Sequence, residues 1–539
     1  MCLNEIQTLL IDFSTLLKIE TASFVQIYFF TMKYIYLFIV SLFFFYTGCD
    51  TQQTKYPLGV ETVLVKAGNN RKELEKALDY FYKHGDSIKI KAIEFLVAYM
   101  DIHYSETYYW KTCDGKRVDF SEFDYSNLET AVKTIDSMRK KYGSLDFQDT
   151  VIYDINSLTG KYLINNVNHA VDTWRLSNYK DIPVNDFCEY ILPYRVTVEP
   201  VTEWRKEYCR RYHWLTDSLQ NKPLENVLDY AAIDYKDWFT FTYGSETRNE
   251  PLSRLSAQQL LFRKKGACED IAALETFIFR SQSIPAAYIS VPLWATSAGA
   301  HFSNTVFDTK MKPVKLDVTT HTVVDHPLDR EPSKVIRYTY SSQSGTLASK
   351  EKEECIPTGF LQKTNYIDVT HEYWETSDVT IPLFNDTTRI IYACMFSMGR
   401  WNAEWWGERM ENSVTFHNMP RGVVILPMIY KEHQLIPIGY PIVNGYNHQL
   451  YLVPDLLHTM TVEIEEQDRY LRFRPDKKYE LFYWDNAWIS LGTQVATMDA
   501  DCLQFNQVSQ NVLMLLVPEY SERKERPFII MPDGTRYWW

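Results

Sequence analysis

Gly266-Ala-Cys-Glu-Asp270, then His301, then Leu316-Asp-Val-Thr319 is the stretch on which the reading of this 539-residue chain turns. It offers a thiol, an imidazole and a carboxylate in the order Cys268, His301, Asp317. Gly266 allows a tight backbone entry, and Cys268 opens an apolar helix carrying Ile271, Leu274 and Ile278. A cysteine in a first helical turn sits near partial positive charge, which favours the thiolate. Ser283-Ile-Pro-Ala-Ala-Tyr-Ile-Ser-Val-Pro292 ends that helix and starts a strand. A loop of small residues, Thr296-Ser-Ala-Gly-Ala300, leads into a second strand over 301–307. Residues 308–313 supply a turn and 314–318 a third strand, so the chain runs out from His301 and returns with Asp317. A carboxylate beside the imidazole would fix its tautomer and stabilise the imidazolium formed when it takes the thiol proton. These groups are a recipe for thiol-based acyl transfer. Glu269 and Asp270 suit a helix N-terminus, although their charge opposes thiolate formation. Asp308 and His321 are bystander candidates.

The order Gly-x-Cys, Arg-x-x-x-Ile-Pro-Ala, a strand-opening His and a closing Asp-x-Thr resembles the transglutaminase-like superfamily, related in fold to papain-type thiol enzymes. The matching positions are Gly266, Cys268, Arg280, Ile284, Pro285, Ala286, His301, Asp317 and Thr319. The resemblance implies that Cys268 is the nucleophile, His301 the general base and acid, and Asp317 the orienting carboxylate. It covers residues 220–325, and the modules on either side look like those of large transglutaminase-like lipoproteins of Gram-negative bacteria. Two positions depart from the usual pattern. Phe302-Ser303 stands where Ala-Trp is common after the His, and Asp317-Val-Thr319 replaces Asp-Pro-Thr. Both leave the three reactive groups in place and bear on substrate instead. The oxyanion donor stays open between the backbone N–H of Cys268 and a side-chain N–H of Gln258, Gln259 or Trp294.

A chain of this length calls for about three or four domains. Hydrophobic residues at 45% supply packed interiors, and a net charge of −13 with no clustered cations argues against a nucleic-acid partner. Near the start, Met32-Lys-Tyr-Ile-Tyr-Leu-Phe-Ile-Val-Ser-Leu-Phe-Phe-Phe-Tyr-Thr-Gly-Cys49 has a basic beginning, an apolar run and small residues before a cysteine. The run is shorter than the roughly 20 residues that span a bilayer, but it suits a secretory signal. It resembles a bacterial lipoprotein signal, with Tyr46 in place of the usual Leu, and implies lipidation at Cys49. An uncleaved membrane anchor is the other reading. Either way the body is exported, to the outer membrane or the periplasmic face, and residues 1–31 read as an over-extended start.

Nine cysteines are present. Beyond Cys2, Cys49 and Cys268, the other six are scattered with no CxxC pair, so no metal site and no cofactor is expected. Cys188 and Cys209 could pair or stay as buried thiols.

The organisation expected is multi-domain α+β. A leader over 1–48 and a tether over 49–58 precede a helical module over 59–219, with helices read at 69–82, 89–104, 126–142 and 166–174. Asn69 or Asn70 would cap the first. In Asp186-Phe-Cys-Glu-Tyr-Ile-Leu-Pro-Tyr-Arg195 and Trp204-Arg-Lys-Glu-Tyr208, core aromatics stand beside ion pairs. The transglutaminase-like core comes next over 220–345, ending in a polar excursion that runs on to about residue 363. A β-sandwich module over 346–458 and a second β module over 459–539 complete the chain, with turn signals at Asn385-Asp386 and Asn444-Gly445. Trp401, Trp405, Trp406, Trp484, Trp488 and Trp538-Trp539 serve either as a sugar platform or as sandwich core.

These features leave two function classes. One is an envelope-anchored thiol enzyme that attacks an amide of a peptide, protein or glycopeptide through a Cys268 thioester, with hydrolysis preferred over transfer to an amine. The other is a catalytically silent surface protein that binds glycan or protein through its β modules.

Overall fold

The computed structural model describes residues 54–219, 222–242, 252–319, 324–383, 388–467, 471–498, 501–531 and 534–538. The expected signal, Cys49 with its expected lipidation, His321, the expected Asn385-Asp386 turn and Trp539 lie outside them. The chain forms two compact units, residues 1–61 and 62–539. The described part of the first is the short run 54–61, which enters the helix Leu58–Lys66. All later helices and strands belong to the second unit.

The helix Arg71–His84 buries Leu74, Ala77, Leu78 and Phe81. Ser87–Ala98 buries Ala92, Ile93, Leu96 and Val97, and the Asp86 carboxylate accepts from the N–H groups of Ile88 and Lys89 at its start. Asn70 is not a side-chain cap: its amide donates to the carbonyls of Ile155 and Leu158, both at 3.0 Å. The helix expected over 89–104 stops at Ala98. Tyr104–Thr112 is instead a strand, paired antiparallel with Arg117–Val118 and Leu145–Tyr153. Its run of aromatic and β-branched residues fits a pleated surface better than a helix, and its partner arrives only after the helix Leu128–Tyr142. The helical module therefore contains a three-stranded sheet.

Beyond the helix Gly160–Leu176, two buried arginines join this module to the core. Arg195 grips the Asp154 carboxylate with Nε and Nη2, each at 2.6 Å, and donates to the carbonyls of Tyr104 and Thr197. Arg205 donates to the carbonyls of Ile191, Leu192 and Pro193 and to Asn166. Trp204 packs edge-on against Phe277, ring centroids 4.8 Å apart. Arg280 donates to the carbonyls of Arg195 and Ala286, so the far end of the helix Cys268–Ser281 is clamped from both sides.

That helix lies on an antiparallel sheet of order Tyr366–Asp368, Ile336–Tyr338, Ala286–Val291, His301–Phe307, Pro313–Leu316. The sheet crosses the boundary expected at residue 345, because Tyr366–Asp368 pairs with Ile336–Tyr338. The polar excursion between them is pinned rather than loose. Leu347, Ile356 and Leu361 plug into an apolar cluster with Tyr392, Leu426 and Leu452.

The C-terminal part is strand-rich. Ile390–Ser397 is buried on both faces, as is Val423–Lys431 up to Ile429. Ile391, Ala393, Met395, Val423, Ile425 and Ile429 meet Val379, Ile381, Val414 and Phe416 in one cluster. The alternate residues Tyr392, Cys394, Val424, Leu426 and Met428 meet Trp484, Leu513 and Ile529 in another. Period-two alternation thus feeds two cores from the same strands. The second core joins residues from both sides of the boundary expected at 458. The tryptophans are part of this packing. Trp401 lies 5.3 Å from Trp484, which lies 5.2 Å from Trp488, while Phe396 touches both Trp401 and Trp488. Trp405 and Trp406 pack against the same cluster and Trp538 against Phe528. These rings meet edge to face and are used in the packing. The cysteines are free at all seven described positions, so Cys188 and Cys209 are not bridged.

Candidate active site

Cys268 is the first residue of its helix, and the preceding turn is built to start that helix. The Asp270 carboxylate accepts from the N–H of Ala267 at 2.9 Å. A Cβ on Gly266 would stand 2.5 Å from the Asp270 Cβ, so only glycine lets the chain pass this cap. The acidic charge at Asp270 is therefore spent on the helix terminus. Glu269 behaves differently: it is buried, and the Cys268 thiol donates to its Oε2 at 3.5 Å. The carboxylate that opposes thiolate formation is in contact with the thiol.

His301 opens its strand opposite Val291. The neighbouring register pairs Asn304 with Leu316, which puts Asp317 diagonally across from His301 on the same face. Asp317 Oδ2 stands 2.6 Å from His301 Nε2. Its Oδ1 accepts from the N–H of Thr319 at 3.0 Å and from the Thr319 hydroxyl at 2.6 Å. The Asp-x-Thr pattern is thus a carboxylate held from behind by its own turn. The charge of the Cys268 sulfur also acts on the imidazole. Burial works against a charged imidazole here, but the Asp317 hydrogen bond and the charges of Asp317 and Cys268 outweigh it and raise His301 to about 10. Burial works equally against the Asp317 carboxylate, and the imidazole and Thr319 together hold it below the ordinary carboxylate range. Both groups are largely enclosed, with side chains 16% and 13% exposed. Asp317 is thus hydrogen-bonded to His301, and Cys268 lies near enough for its charge to act on the same imidazole.

Among the oxyanion candidates, Gln259 is committed elsewhere. Its Oε1 accepts from Ser256 N–H and its Nε2 donates to Glu122. Gln258 donates to the carbonyl of Glu203 at 3.4 Å. Trp294 stacks on His301, ring centroids 5.7 Å apart and planes 23° from parallel, and so covers the imidazole. The Cys268 N–H, in a first turn where donors have no intrahelical acceptor, keeps that capacity. Asp308 is a turn residue, accepting from the N–H groups of Lys310 and Lys312.

Two contributors had weaker sequence signals. Asn304 is fully buried and donates to the carbonyl of Ala272 at 2.9 Å and to Thr276 Oγ1 at 2.8 Å, tying the imidazole strand to the thiol helix. An Asn inside a buried strand, with a Thr in the facing apolar helix, was the available cue. Glu275 lies two turns after Cys268 on the same helical face. It is hydrogen-bonded to Tyr235, and burial, with Asp317 adding repulsion, drives its carboxyl well above the usual range.

Residues 216–318 match the family model described as the Transglutaminase-like superfamily. No curated protein matches the chain. Among solved structures, one named as a candidate cysteine protease from Cytophaga hutchinsonii aligns over 28% of this chain and 48% of that one, with 15% identity and a TM-score of 0.22. The chain thus matches about half the length of that structure.

Proposed function

We propose, on the premise that residues 216–318 are a transglutaminase-like domain, that this protein is a thiol enzyme acting on an amide of a peptide, protein or glycopeptide. The observation that carries the reading is the His301–Asp317 hydrogen bond, with Asp317 held by Thr319 and Cys268 at the start of its helix acting on the same imidazole. The Cys268 thiolate attacks the amide carbonyl. The C–N bond then breaks as the His301 imidazolium gives its proton to the leaving nitrogen, and a thioester remains. Water, or an amine, next gives a proton to His301 as it attacks the thioester, the C–S bond breaks and the thiolate returns. The Cys268 N–H would receive the developing oxyanion. Hydrolysis is preferred, because water is abundant and nothing marks a site for a competing amine. The β modules offer no separate ground for a glycan-binding reading, since their tryptophans are used in packing.

The test is a peptide-library digest read by mass. Cleaved amides carrying the added mass of water are expected, whereas cross-linked products with loss of ammonia would mark transfer. If the Cys268→Ser variant gives the same products, or the wild type gives none, the reading fails.

We propose further that the protein is exported and held at the bacterial envelope, at the outer membrane or periplasmic face, by lipid on Cys49. The support is the run from Met32 to Cys49. Mass mapping of the purified protein is expected to find a lipid-modified N-terminus at Cys49. Recovery of any peptide from residues 1–31 would exclude this.

A further inference from the structure

Residues 329–333 lie along residues 293–296, which lead into the loop that delivers His301. The Ser333 N–H donates to the Leu293 carbonyl at 2.8 Å, the Ala295 N–H to the Glu331 carbonyl at 3.0 Å, and the Thr296 hydroxyl to Glu331 Oε2 at 2.8 Å. Trp294 and Pro332 form a β-bridge between these contacts. The Trp294 N–H then donates to the Gly299 carbonyl at 3.0 Å, closing the loop just before His301. The backbone under Trp294 is therefore fixed. Its ring, 7% exposed, packs with Ile289, Val291, Val335 and Val369 and stacks on the imidazole.

One charged side chain also bears on that ring. The Arg330 guanidinium stands over it, 5.3 Å from the ring centroid. Every nitrogen of this guanidinium is engaged: Nε and Nη2 donate to the Asp329 carboxylate at 3.1 and 3.0 Å, and Nη1 donates at 3.3 Å to the hydroxyl of Ser297 in the His301 loop. A planar group held at three points has little freedom left to lose, so its contact with the indole is pre-organised. The pairing with Asp329 also removes a conflict of charge. A bare guanidinium near a protonated imidazole would disfavour the imidazolium, and the Asp329 carboxylate cancels it. Arg330 first, and the His301 charge more weakly, hold the Asp329 carboxyl below its ordinary range, so this pair lies within electrostatic reach of the imidazole.

We propose that Arg330 is a positioning residue for the thiol and imidazole: its guanidinium, neutralised by Asp329, keeps the Trp294 ring on His301 and so keeps water from the His301–Asp317 bond. It rests on the thiol-enzyme reading and adds a residue that lies outside the Cys, His and Asp motif. The bond it protects, 2.6 Å from Asp317 Oδ2 to His301 Nε2, is electrostatically stronger dry than hydrated.

Alkylation of Cys268 by iodoacetamide at neutral pH, in the full chain, tests this through a double-mutant cycle. Arg330→Gln is expected to slow alkylation by about two- to fivefold, the scale of one cation–ring contact, and Arg330→Lys to keep most of the rate. Trp294→Ala slows it more, and adding Arg330→Gln to Trp294→Ala changes nothing further. Histidine-ring NMR supplies a second readout. The His301 signal, identified by its absence from His301→Ala, titrates at lower pH in Arg330→Gln than in the wild type, because water admitted to the bond weakens the hold of Asp317 on the imidazolium. An unchanged alkylation rate in Arg330→Gln, an unmoved His301 titration, or a slowing that persists undiminished in the Trp294→Ala background each overturns the proposal and leaves the thiol-enzyme reading standing. If His301→Ala itself leaves alkylation unchanged, that reading falls and the proposal with it.

Discussion

His301→Ala lowers the rate at which iodoacetamide alkylates Cys268 at neutral pH by about thirtyfold, because an unassisted thiol near pKa 8.5 is only a few per cent thiolate at pH 7. In the wild type the imidazole, raised to about 10, stays protonated beside the sulfur throughout the neutral range. Removing it leaves the sulfur with the Glu269 carboxylate at 3.5 Å and no compensating cation from His301. Turnover falls further, by about 10³-fold, because the same imidazolium must also protonate the leaving nitrogen. Equal alkylation rates for wild type and variant at neutral pH would defeat the catalytic assignment. The sign of the stability effect comes from the raised pKa. The pairing contributes fully below the unfolded value of about 6.5 and is lost as pH rises through about 10. The stability gap between wild type and Asp317→Asn should therefore shrink on going from neutral to strongly alkaline buffer.

Asp154→Ala destabilises the folded chain by about 3–5 kcal/mol, the cost of leaving one member of a buried ion pair uncompensated. Asp154 is 1% exposed, and it receives two guanidinium donors from Arg195 and the hydroxyl of Tyr194 at 2.8 Å. The loss would propagate, since the Arg195 carbonyl accepts from Arg280 at the far end of the thiol helix. Urea unfolding followed by tryptophan fluorescence measures the shift, and a change within about 0.5 kcal/mol, the usual range for a surface substitution, would show that the network does not support the fold. A double change of Asp154→Leu with Arg195→Met should recover part of the loss, because replacing both charges removes the orphan.

The signals that were legible are local ones. Gly266 before Cys268, an apolar helix, a proline-marked strand start and the Asp317-x-Thr319 turn each act over a few residues, so their consequences can be read before any tertiary contact is known. The β character of the C-terminal part was legible for the same reason. Tyr104–Thr112 was not, because its aromatic spacing serves a helix or a strand, and its partner Leu145–Tyr153 arrives only after an intervening helix. Leu347, Ile356 and Leu361 were hidden in a polar segment, where each is a single apolar residue whose value depends on the pocket it fills. Gln259 shows the same limit at the candidate site: its amide had the right chemistry for an oxyanion donor, but it points to Ser256 and Glu122.

By itself the sequence determined an α+β chain in which a thiol, an imidazole and a carboxylate come one after another at element boundaries, since composition, periodicity and turn chemistry are properties of short segments. Only the tertiary structure decided that Asp317 Oδ2 faces His301 while Oδ1 is held by Thr319, that Trp294 covers the imidazole, that Glu269 touches the sulfur, and that the tryptophans pack edge to face. The physical reason is that the direction of a side chain is set by strand register and by what packs against it, and both depend on partners far away in the chain.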